Sequence, residues 1–218
     1  PNNIVFRAEV IGGEDAFYRR NEVPTCTVYG DNHVVWTVTS GNNNTQVLHD
    51  RVEDDRIVRF VEDLTLGFRI YDFDTAAELA GAGVEEPVVE QFTLNVNGIV
   101  HVTDAFGGWD YEYFERILEI CRSISPAPAI YEPTAAWVSA IEVEYESDVP
   151  SILWNGEGRG LDLADLAASG ERQWIDNVNV RVLWDILQNS VPNIQFDQGG
   201  QTFNVALEVP NITTQSPP

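Results

Sequence analysis

Lysine is absent from this 218-residue chain, and all 12 of its basic side chains are arginine. Chemistry that needs a lysine amine is thereby excluded, including Schiff bases, pyridoxal phosphate attachment and the P-loop. Methionine is also absent, at position 1 as elsewhere. The expectation is a chain whose signal peptide has been removed, placing it outside the cell or on its surface. A lipid anchor on the removed region is compatible with this. No run approaches the ~18 consecutive apolar residues of a membrane span. Cysteine occurs twice, at Cys26 and Cys121, with no CxxC spacing. Two readings stay open: a disulfide closing a long loop, or two small buried hydrophobes.

Positive charge is scarce. Against the 12 arginines stand 35 acidic residues, a net charge of −23. That field repels phosphate backbones and anionic lipid, so nucleic acid is not expected as a partner. It suits a divalent cation, a basic partner, or a surface solvated in salty surroundings. A hydrophobic content of 44% is that of an ordinary globular chain rather than a disordered one.

What is present reads as α+β. The organising stretch is Pro24 to Trp36, two β-forming runs around Gly30-Asp31-Asn32, whose residues tolerate positive φ. Before it, Asn3 to Val10 alternates as a strand, and Glu14 to Val23 is a charged loop. After it come a polar loop, Ser40 to Thr45, and a helix, Val52 to Leu66. Asp54 and Asp55 fall in the first turn of that helix, and Gly67 is its expected stop. Phe68 to Phe73 reads as extended, and Ala76 to Gly83 as a loop with a short helix. Val88 to Thr103 is a second hairpin about Asn97-Gly98, the strongest short turn signal. Tyr111 to Ile124 is a second helix.

The layout over residues 24–125 is therefore ββα–ββα: one antiparallel sheet with helices packed on one face. Residues 1–125 form an N-terminal region. Residues 126–218 form a C-terminal strand–helix–hairpin region beyond the linker Ser125-Pro-Ala-Pro-Ala. That region holds a strand, Ala135 to Tyr145, a loop with Trp154, and a helix over Leu161 to Ala168 capped by Asp162 or a neighbour. A helix over Val178 to Gln188 and a closing hairpin over Ile194 to Val209, turning at Gly199-Gly200, complete it. The two regions are expected to pack as one unit, with a mobile tail from Thr213 to Pro218.

Pro24, Tyr29-Gly30-Asp31, Asp72 or Asp74, Trp154 and the Phe196 to Val205 hairpin together carry a resemblance. In these features the chain resembles a group of uncharacterised bacterial secreted proteins and lipoproteins with a Tyr-Gly-Asp-Gly-type hairpin. Asn32 stands here in place of the second turn glycine. The resemblance implies the hairpin-and-helix layout and an extracellular or surface location; it brings no activity with it.

The chemical constellations are sparse. Tyr71-Asp72-Phe73-Asp74-Thr75 has the wrong spacing for an aspartyl-nucleophile phosphatase, which also needs a lysine. His33, His49 and His101 are the three histidines, with no HExxH, and they read first as strand residues. No Gly-x-Ser-x-Gly elbow exists. Calcium is the candidate metal, through Asp72, Asp74, Asp104 and Asp110, with Glu112 alongside. No other cofactor is expected. Phe106, Trp109, Tyr111 and Tyr113 surround Gly107-Gly108 as either core or a binding patch. Asn43-Asn44-Thr45 and Asn211-Ile212-Thr213 fit the N-glycosylation pattern.

The expected function is that of a secreted or cell-surface protein without catalysis. It would be a self-assembling subunit or binding module whose partner is a copy of itself or another surface protein. The alternative is an extracellular hydrolase using paired carboxylates.

Overall fold

A computed structural model describes residues 4–13, 16–39, 45–76 and 88–213. The fold is mixed α+β with two antiparallel-rich sheets, one of which also contains a parallel pair. The single sheet expected from the hairpin pattern is thus corrected to two. The chain divides into two compact units. One comprises residues 1–13, 23–38 and 46–131, and the other residues 14–22, 39–45 and 132–218.

The first unit holds a seven-stranded sheet. Its strands are β1 (Ile4–Ile11), β2 (Cys26–Tyr29), β3 (His33–Thr39), β4 (Thr45–Arg51), β5 (Val89–Val96), β6 (Ile99–Asp104) and β7 (Ala129–Ile130), in the spatial order β6-β5-β1-β2-β3-β4-β7. Register follows the alternation of apolar residues: Ala8 faces Cys26, Cys26 faces Trp36, and Ala8 faces Phe92 on its other side. Phe6, Ala8, Cys26, Val28, Val34, Trp36, Phe92 and Leu94 share one core with helices α1 (Asp54–Glu62) and α2 (Tyr113–Ser123). Those helices contribute Ile57, Phe60, Phe114, Ile117, Leu118 and Cys121 at helical spacing. Cys26 and Cys121, both fully buried, are joined as a disulfide with Cα atoms 6.6 Å apart.

Turn chemistry explains the hairpins. Asn32 adopts φ 69° and its N–H closes the first turn on the Tyr29 carbonyl at 3.1 Å. Asn97 and Gly98 have φ of 54° and 77°, the doubly left-handed turn that matches strand twist.

Three local expectations are corrected. Phe68 to Phe73 is not extended: Arg69 adopts φ 53° and a 3-10 turn follows over Ile70–Asp72, pinned by fully buried Ile70. Helix α1 ends at Glu62 and continues through a π-type turn, Asp63–Gly67, so the left-handed residue that turns the chain is Arg69, two past the glycine expected to stop it. Thr45 lies in strand β4, whose mixed polar sequence Thr-Gln-Val-Leu-His-Asp-Arg lacks a strand signature. The expected features over 14–15, 40–44, 77–83 and 214–218 lie outside the described residues, with the first glycosylation asparagine among them.

The second unit holds a five-stranded sheet of β8 (Ala136–Val143), β9 (Ser151–Leu153), β10 (Gln173–Ile175), β11 (Gln195–Gln198) and β12 (Gln201–Glu208), in the order β10-β8-β12-β11-β9. Gly199 and Gly200, at φ 65° and 85°, turn the closing hairpin. A short turn, α3 (Gly156–Arg159), precedes α4 (Leu163–Ser169) and α5 (Val178–Gln188). Asp162 caps α4 and Asn177 caps α5, each by accepting backbone N–H groups. Val180, Leu183, Trp184 and Leu187 are the buried face of α5. Tyr18–Asn21 forms a 3-10 turn of this unit: the Tyr18 hydroxyl donates to Asn204 Oδ1 at 3.0 Å, and Asn21 accepts the Leu207 N–H at 2.7 Å. Thr213 is fully buried, its hydroxyl accepting from the Val209 N–H at 3.2 Å, so the chain is anchored where the tail was expected to begin.

Candidate functional site

Of the four aspartates read as calcium ligands, Asp72, Asp104 and Asp110 have carboxylates engaged by other protein groups. Asp72 pairs with Arg69, and Asp110 with Arg116 at 2.5 Å. Asp104 is fully buried, its two oxygens accepting the Ala76 and Phe106 N–H groups at 2.9 Å each. The Asp74 main-chain carbonyl accepts from the Thr103 hydroxyl at 3.2 Å. A Cβ built on Gly107 would lie 1.8 Å from that carbonyl oxygen, so only glycine permits this approach. Asp74 and Asp104 thus fasten residues 73–76 to the end of β6. Among the described residues, no three His, Cys, Asp or Glu side chains form a metal-sized group.

The aromatic cluster around Gly107-Gly108 divides. Trp109 stacks on Phe92 at 4.7 Å and donates its indole N–H to Thr103, and Tyr113 is buried with its hydroxyl on the Phe68 carbonyl. Phe106 and Tyr111 stay exposed.

The histidines form the most distinctive arrangement. Strands β3 and β4 are neighbours, and they bring His33 Nε2 to 3.3 Å from His49 Nδ1. One ring N–H donates to the bare nitrogen of the other. Aromatic rings continue on both sides: Tyr29 stacks on His33 at 5.7 Å, and Tyr131 meets His49 edge-on at 5.3 Å. Burial holds His33 below the ordinary histidine value, and the neighbouring His49 lowers it further. The charges of Asp31 and Asp50 pull it up, and Arg51 pushes it down. Burial raises the Tyr29 hydroxyl against the opposing pull of Arg7, and it pushes Tyr131 up to about 12. Around this row, Arg51 binds the Asp31 carboxylate at 3.3 Å, and Ser125 donates to Asp50 at 2.6 Å. His101 lies apart, 3.0 Å from the Ile70 carbonyl and against the Tyr71 ring.

Chemically, the row Tyr29–His33–His49–Tyr131 is two imidazoles sharing a hydrogen bond between two protonated phenols. Sixteen residues separate the two histidines, and no motif joins them. Only the strandedness of Thr45–Arg51 could have paired them, and its composition hides that.

In the second unit, an open cavity of about 520 Å³ is lined by Asp162, Asp165, Glu171 and Arg172 among others. The Asp162 carboxyl lies below its ordinary value, held there by the Asp165 N–H, the Gln198 side chain and the Ala164 N–H. Its Oδ1 accepts from the Ala164 and Asp165 N–H groups of the helix and from the Gln198 amide. Glu90, in the first unit, is raised by burial and then by the like charge of Glu115.

No protein-family model, no curated protein and no solved structure matches the chain.

Proposed function

We propose that this is a secreted or cell-surface protein without catalysis, acting as a subunit that associates with copies of itself by strand addition. The observation that carries this reading is strand β6, one of the two edge strands of the seven-stranded sheet as described, with Ile99 69% and Val100 59% exposed. Edge strands are ordinarily guarded by lysine, proline or a bulge. Ile99-Val100-His101-Val102 carries no arginine, no proline and no acid, in a chain with 35 acids in 218 residues. This short neutral stretch is where two such acidic molecules can approach. Antiparallel pairing of β6 with its own copy closes about a two-fold axis.

One further feature supports the reading. The disulfide between Cys26 and Cys121 suits an oxidising compartment, and it removes both thiols from chemistry.

A net charge of −23 opposes association until salt screens it. Screening lengths fall from ~10 Å at 0.1 M to ~3 Å at 1 M ionic strength. Sedimentation velocity at both salts is the test. The expected result is a salt-strengthened dimer that Val100→Lys converts to monomer. A wild-type protein that stays monomeric at 1 M salt up to about 1 mM protein overturns self-assembly.

A further inference from the structure

We infer that the His33–His49 pair is an acid-operated latch on the seam between strands β3 and β4. The hydrogen bond between the two rings, 3.3 Å long, needs one nitrogen that carries a proton and one that does not. A first proton can settle on an outer ring nitrogen and leave the bond intact. A second removes the acceptor and leaves two cationic rings edge-on to one another, 5.5 Å apart. The bond therefore survives one added proton and not a second.

The surroundings offer the doubly charged state little relief. Tyr29 and Tyr131 flank the pair with rings whose phenols stay protonated. Arg51 lies among the charges that reach His33, and Arg7 among those that reach Tyr29; both are positive. Asp31 and Asp50 are the acids whose charge favours a protonated His33. Asp31 is engaged by Arg51, and Asp50 accepts from Ser125.

The position of the pair gives the charge a mechanical outlet. Beyond β4 the sheet ends at the two-residue strand β7, where Leu48 faces Ile130 and His49 faces Ala129. Strands with so few partners open at the lowest cost. On the other side of β3 the sheet is tied down by the Cys26–Cys121 disulfide. Acid thus loosens β4 and β7 while β1, β2 and β5 stay closed.

Amide hydrogen exchange of the intact protein at pH 7.5 and 5.0, corrected for intrinsic rates, tests the latch. Protection over residues 45–51 and 129–131 is expected to fall at least about ten-fold more than over β1 and β5, which serve as the internal control. His49→Gln keeps a side-chain hydrogen-bonding group that does not titrate. His33→Phe keeps a ring for Tyr29 to stack on. Each is expected to reduce the differential to within about two-fold. An unchanged differential in both variants overturns the latch. Should neither variant fold, histidine NMR titration of the wild type decides: two split steps support it, and two independent steps at the ordinary value overturn it.

Discussion

Cys26, on the second strand of the seven-stranded sheet, is bonded to Cys121 on helix α2, 95 residues further along the chain. The bond ties the sheet to the helix that covers it, inside the same core as Phe6, Phe92 and Phe114. A loop of that length removes a large part of the unfolded chain's freedom. In the chain-entropy model this is worth about 4–5 kcal/mol. The Cys26→Ala, Cys121→Ala double variant is expected to lose most of that stability in denaturant titration. Loss below about 1 kcal/mol contradicts a structural role for the bond.

Asp104 is expected to matter for stability through its acceptors. Replacing it with alanine deprives the Ala76 and Phe106 N–H groups of their carboxylate partner. The cost is about 2–3 kcal/mol. Asp104→Asn retains one acceptor oxygen and should fall between wild type and alanine. Equal midpoints for the two variants in guanidinium unfolding would contradict this account.

Alkaline pH should destabilise the first unit before it ionises its tyrosines. Burial pushes both Tyr113 and Tyr131 up to about 12. In the unfolded chain they lose their protons near 10. Between those values the folded state binds more protons than the unfolded one, so stability falls as pH rises from 10 to 12. Denaturation midpoints at pH 9, 10, 11 and 12 trace the loss. Tyr113→Phe should flatten part of it and, by removing the bond to the Phe68 carbonyl, cost about 1 kcal/mol at pH 8.

Acid should weaken the α4 cap. Hydrogen bonds to the Asp165 N–H, the Gln198 side chain and the Ala164 N–H hold the Asp162 carboxyl below its ordinary value. Their stabilisation is complete above the unfolded value of about 4 and is lost as pH falls through the lower, folded value. Asp162→Asn keeps a capping oxygen without the charge. It should show a shallower pH dependence below 4, measured as melting temperature from pH 5 to 2, whereas a parallel curve argues against the assignment.

Much of the architecture was legible residue by residue. Asn97-Gly98 and Gly199-Gly200 mark their hairpins because few other residues take positive φ at two successive positions. Asp162 and Asn177 mark helix starts because their short side chains reach backbone N–H groups. Other parts were not legible, for identifiable reasons. Ile70 looks like a strand residue, and only its burial turns the chain into a 3-10 turn there. Strand β10 has three residues, Gln173–Ile175, too few for any alternation to register. Two sheets cannot be told from one when every hairpin is local and the signal for which hairpins adjoin is long-range. The His33–His49 pairing shares that origin, since it depends on β4 lying beside β3.

The 3-10 turn Tyr18–Asn21 has a consequence for how the chain comes to be folded. It is made early in synthesis, yet its partners Asn204, Val205 and Leu207 lie up to 186 residues downstream. At ~5–20 residues per second, the turn waits roughly 10–40 s for them to emerge. During that interval β1 and β2, which flank it, can already pair with one another. Truncation near residue 131 would strand the turn with no partner ever arriving. The second unit is thus a discontinuous folding unit, completed only when its last hairpin meets a segment translated among the first.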